Sequence, residues 1–184
     1  MTEAEAFLRQ ATHDFRLFKC LYSDPRHGGE SVPDCYLLHY LQMATEKLSK
    51  ALLIPRGLYR RKVHDTFSTL LQRLKDAGDE LAFALGWADR QQFVDHVTHI
   101  EAWCCDVERF NPAVQDHAQV EGGRNVEYPW ADDGSWVAPV DHDFGEWGLR
   151  STGYSVHATE VVDLVGRLLD FYDEVVDHIP SPRR

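Results

Sequence analysis

The chain has 184 residues, 43% hydrophobic and 27% charged, and its 19 Lys and Arg stand against 30 Asp and Glu for a formal net charge of -11. That length and apolar content fit one globular domain of roughly 100 to 200 residues, 1–184 as a single unit. No apolar run approaches the ~20 residues that span a bilayer, and the opening MTEAEAFLRQ lacks the basic-then-apolar order of a secretory signal, so no membrane contact and a cytoplasmic location are expected.

In chain order, the first predicted helix covers residues 3–22, where Phe7, Leu8, Ala11, Phe15, Phe18 and Leu21 or Tyr22 recur at spacings of three and four. SDPRHGGESVP, with two prolines and two glycines, breaks it. The second helix spans residues 33–53, with Pro33 and Asp34 suited to its first turn and one stripe formed by Leu37, Leu41, Ala44, Leu48 and Ala51 or Leu52. Pro55 and Gly57 close it.

A third helix starts near Asp65 or Thr66 and buries Phe67, Leu70, Leu71 and Leu74 before Gly78. Asp89 followed by Gln92 reads as the cap of a fourth, whose inner face is Phe93, Val97, Ile100, Cys104 and Val107, and Asn111-Pro112 ends it. A last long helix runs from about 155 to 178 through Ala158, Val161, Val165, Leu168 and Val175. Together these elements predict an all-α fold, an antiparallel four- or five-helix bundle. Residues 112–154 form a long insertion before the last helix, with a short β-hairpin expected where NVEYPW and SWVAP flank ADDG.

Charge is uneven. Residues 93–184 hold 6 basic and 18 acidic side chains, which should repel nucleic acid there, whereas residues 1–92 hold 13 and 12. Arg56, Arg60, Arg61 and Lys62 make a basic cluster that could neutralise only ~3 to 4 phosphates. Cys20, Cys35, Cys104 and Cys105 form no C-x-x-C pair and read as reduced thiols. No phosphate-binding glycine loop, hydrolase elbow or H-E-x-x-H is present. His96 and His99, three apart on a helix, could share a metal with one of Asp95, Glu101, Asp141, His142 or Asp143, but ten scattered histidines make such a pair common by chance. No metal and no cofactor are therefore assigned.

The second helix carries the most information. Gln42, Glu46 and Lys50 follow one another at i, i+4 and i+8, with Glu46 preceding Lys50 in the favourable order for a helix ion pair. The string LQMATEKLSKALL, from Leu41 to Leu53, resembles the characteristic helix of HEPN domains, in which a Gln, a Glu-Lys pair and a Lys-Ala recur at this spacing. HDTFSTLLQRL, from His64 to Leu74, is similar to that family's following helix, and GRNVEYP, from Gly123 to Pro129, to its Arg-to-Tyr-Pro segment before the last helix. The likeness runs in helix order from residue 5 to 178.

The resemblance implies a helical bundle, often a homodimer, that is either a metal-independent ribonuclease or a non-catalytic binding module. Active members carry an Arg followed, after four to six residues, by a His that helps cut RNA. After Arg124 this sequence offers Tyr128, and no histidine comes before His142. A literal match, Arg90 and His96, opens the fourth helix, where six positions put the two side chains about 240° apart.

The favoured expectation is thus a HEPN-like binding or interaction module, nucleotide- or RNA-associated and linked to a toxin-antitoxin or defence system, with Gln42, Glu46, Lys50, Arg124, Tyr128 and Trp130 as ligand-binding residues. The alternatives are a HEPN endoribonuclease using Arg90 with His96, or Arg124 with His142, and a helical bundle unrelated to that family. Expected partners are a second copy of the chain and a nucleotide, RNA or cognate protein.

Overall fold

The computed structural model describes residues 1–23, 26–27, 30–59, 66–110, 126, 130–132, 135–142, 144 and 156–180. Among these lie seven α-helices: α1 (Glu3–Ser23), α2 (Asp34–Leu53), α3 (Thr66–Lys75), α4 (Asp79–Ala84), α5 (Arg90–Arg109), α6 (Val156–Asp170) and α7 (Tyr172–His178). No helix of the described residues is long and apolar enough to cross a membrane. The fold is all-α, a helical bundle.

The apolar stripes read from the sequence are the faces that pack. Ala11, Phe15 and Phe18 of α1 are buried against α2, whose own Leu37, Leu41, Ala44, Leu48 and Leu52 are fully enclosed. Phe67, Leu70, Leu71 and Leu74 seat α3 on α2 and α5, and Ala158, Val161, Leu164, Val165 and Leu168 seat α6 on α5. Removing this much apolar surface from water is the main drive to fold. It also puts α2 at the centre, buried on most of its circumference.

Local signals fix the ends. Asp89 caps α5 by accepting a 2.8 Å hydrogen bond from the Gln92 amide. At the close of α4, Gly86 takes φ +81, a conformation that L side chains resist, and the Gly86 and Trp87 amides return to Phe83 and Ala82 carbonyls. Its missing Cβ also leaves room for the Arg167 guanidinium, which a methyl group would meet at 2.9 Å.

Two features depart from the expected five helices. The six-residue α4 fills the stretch between the third and fourth predicted helices, and the last helix divides at Phe171 (φ -113, ψ 35) into α6 and α7. The split turns α7 onto α4 and α2, where Val175 is buried. Two short antiparallel ladders accompany the helices: β1 (Arg26–His27) with β2 (Glu30–Ser31), and β3 (Trp130–Asp132) with β4 (Ser135–Val137), the latter in the register Trp130↔Val137, Ala131↔Trp136 and Asp132↔Ser135. Of the turn expected at Asp132, Asp133 and Gly134, Asp132 lies in β3 and the other two fall outside the described residues. Val126 and Phe144 pack onto the end of α5, the Val126 N–H donating a hydrogen bond to the Phe110 carbonyl and the Phe144 ring standing edge-to-face with that of Phe110.

Candidate functional site

Within one chain, the two side chains of the literal Arg-to-His match face different neighbours. Arg90, in the first turn of α5, donates from Nε to the Ala77 carbonyl at 2.8 Å and from Nη2 to the Lys75 carbonyl at 2.7 Å. Its planar fork therefore satisfies the exposed carbonyl end of α3 and the turn that follows. His96 faces elsewhere, its ring 4.6 Å from that of Trp87. Burial pushes the His96 imidazole below its ordinary range, against the opposing pull of the Glu160 and Asp163 carboxylates.

The family-like residues of α2 are turned into the bundle. Gln42 is 4% exposed, and its amide donates to the Val107 carbonyl near the end of α5. Glu46 and Lys50 form an ion pair whose side chains are 13% and 11% exposed. The Lys50 ammonium also lies over the rings of Phe7, at 5.5 Å, and Tyr59, at 5.9 Å. Each of these groups thus ties α2 to a neighbour: Gln42 to α5, Lys50 to α1 and the segment after α2. The row that the i, i+4, i+8 spacing set on one face of this helix is therefore largely enclosed by its neighbours.

In the insertion, Arg124 and Tyr128 fall outside the described residues, as do Asp143 and the Arg60, Arg61 and Lys62 cluster. Trp130 contributes backbone to β3. His142 follows a short 3-10 turn, Pro139–Asp141, and stands edge-on to Phe144 with ring centroids 4.6 Å apart. Of the third ligands considered for His96 and His99, Asp95 accepts from Gln91 at 2.7 Å and Glu101 pairs with Lys75 at 2.8 Å.

What does converge is His99 with two residues that the sequence reading did not set beside it, His157 and Glu160. His99, one turn beyond His96 and facing α6, has its Nε2 3.6 Å from Oε2 of Glu160. His157, one turn before Glu160, has its Nδ1 4.0 Å from the same oxygen. The two imidazole centroids are 4.4 Å apart at a 39° tilt, and all three ligand-capable atoms lie within 4.8 Å of one another. The available signal was the three-residue spacing from His157 to Glu160 on the last helix, which places both side chains on one face.

A third arrangement is electrostatic. Past its first turn, the outward face of α1 carries Arg9, His13, Arg16 and Lys19, all exposed, while Asp14 is buried and paired with Lys47 of α2. Positions 9, 13 and 16 stand in one row along the helix. Comparison with protein-family models, curated proteins and solved structures returns no match for this chain.

Proposed function

We propose that the protein is a HEPN-like helical binding module that engages RNA without cutting it. The observation that carries this reading is the division of Arg90 and His96 between two unrelated tasks, one closing the end of α3 and the other packed on Trp87. A ribonuclease of this kind needs both groups on one phosphate, the imidazole to exchange a proton and the guanidinium to meet developing charge. Here two of the guanidinium N–H groups are bonded to the Ala77 and Lys75 carbonyls, and the half-buried imidazole packs on Trp87.

The surface suited to an anionic strand is the outer row of α1. Arg9, Arg16 and Lys19 place three positive charges on a chain of net charge -11, with the exposed His13 ring in the same row. The family likeness of Leu41 to Leu53 further implies a homodimer acting beside a cognate partner in a toxin-antitoxin or defence setting.

The test is fluorescence anisotropy of a labelled single-stranded RNA with the full chain, in EDTA, across a salt series. Expected are saturable binding, a log–log salt slope of about -2 as three phosphate contacts on a single strand give, loss of binding in the double variant Arg9→Glu and Arg16→Glu, and RNA recovered intact. Absence of binding, or cleavage that His96→Ala abolishes, would overturn the reading.

A further inference from the structure

We infer that His99, His157 and Glu160 form a binding site for a divalent first-row transition-metal ion of the zinc class, bridging α5 and α6. The inference rests on side-chain geometry and is independent of RNA binding.

The distances are wrong for hydrogen bonds and right for shared coordination. An N–H to carboxylate bond needs about 2.7–3.2 Å between heavy atoms, yet Glu160 Oε2 stands 3.6 Å from one imidazole nitrogen and 4.0 Å from the other. Two ligands each about 2.1 Å from one ion are about 3.4 Å apart at a tetrahedral angle and at most about 4.2 Å apart when opposed. Both contacts to Glu160 fall inside that span. The outer limit of 4.8 Å within the cluster exceeds it slightly, and the His99 side chain, 56% exposed, has the freedom to close the difference.

Burial argues the same way. His157 Nδ1 and Glu160 Oε2 are shielded from solvent and have no hydrogen-bond partner among the described residues. Enclosed polar atoms of this kind are costly unless something satisfies them. A metal ion would accept a lone pair from each imidazole and from the carboxylate, satisfying the enclosed nitrogen and oxygen together.

Two imidazoles with one carboxylate are a donor set that zinc favours, and three protein ligands leave at least one coordination position for water or another ligand. The scaffold is suited to holding them. His157 and Glu160 occupy one face of α6, anchored beneath by Ala158 and Val161, and His99 comes from α5 beside the fully buried Ile100. Binding would therefore cross-link α5 and α6 beside their apolar contact.

Tag-free, metal-stripped full-length protein titrated with Zn(II) by calorimetry, and with Co(II) followed by its visible absorption, tests the site. Expected are one equivalent bound, an imidazole- and carboxylate-type Co(II) spectrum, and affinity lowered by about 100-fold or more in His157→Ala and Glu160→Gln. His178→Ala, on α7 and outside the cluster, should bind as the unmodified chain does. Circular dichroism of each variant shows whether its helices are retained. If a variant unfolds, diethylpyrocarbonate labelling of the unmodified protein decides the matter, because bound zinc should protect His99 and His157. No stoichiometric binding, binding unaffected by both substitutions in folded variants, or no protection of the two histidines would overturn the inference.

Discussion

The carboxylate of Glu108, near the end of α5, caps α3 from outside that helix: its Oε1 accepts the Phe67 amide at 2.7 Å. The same side chain also accepts the Ser68 amide, at 3.3 Å to Oε2 and 3.4 Å to Oε1. Two amides of α3's first turn are thereby satisfied by a negative charge placed where the helix dipole favours one. Glu108 is only 8% exposed, so a charged acceptor has been accepted into the interior in return for this contact. With Gln42 reaching the Val107 carbonyl one residue earlier, α2, α3 and α5 are joined at one level of the bundle.

Glu108→Gln keeps the shape and removes the charge. The expected cost is about 1–2 kcal/mol, the range for losing a helix cap or a charged hydrogen-bond acceptor. Urea melts of the variant and the unmodified chain measure it directly. A midpoint unchanged at equal slope would mean that the first-turn amides of α3 draw their stability from elsewhere.

Glu46→Ala tests whether the pair with Lys50 belongs to the interior. An exposed helix pair contributes about 0.2–0.5 kcal/mol. Lys50, 9% exposed, would be left as a partly buried cation over the rings of Phe7 and Tyr59. The expected loss is about 1–3 kcal/mol, since removing one partner leaves the other's desolvation uncompensated. A loss within the exposed-pair range would place this ion pair effectively in solvent.

The bundle was legible in the sequence because its signal is periodic. Leu37, Leu41, Ala44 and Leu48 repeat over enough turns to define a face, and every one of them is buried. Asp89 was equally legible, because capping needs only one residue and its near neighbours. The six residues of α4 span fewer than two turns, too few for a period to emerge, and the break at Phe171 interrupts a pattern that continues on both sides of it.

The sites were less legible because they depend on what lies across from each helix. Spacing alone put Gln42, Glu46 and Lys50 in one row, but the neighbouring α1 and α5 decide that the row faces inward. Arg90 and His96 have the residue types and separation of a nuclease pair, and the nearby Ala77 carbonyl and Trp87 ring determine what each touches instead. His99 found its partners on α6, some sixty positions away, where no local pattern could point.

The cysteines carry a pH-dependent prediction. Burial pushes the Cys104 thiol well above its ordinary range, and the nearby Glu108 carboxylate adds to the rise; burial also raises Cys35. A thiol raised in the folded state favours folding fully below its unfolded value, near 8.5, and that contribution falls as pH climbs from there through the folded-state value. The native chain at pH 8.5 should thus keep Cys104 and Cys35 as unreactive thiols, since the thiolate is the nucleophile and both side chains are enclosed. Iodoacetamide followed by peptide mass spectrometry should show the exposed Cys20 modified first, with Cys104 and Cys35 modified only at the rate of unfolding or after denaturant is added. Labelling of Cys104 at the rate of Cys20 in the folded protein would mean that the α5 core opens far more readily than its packing implies.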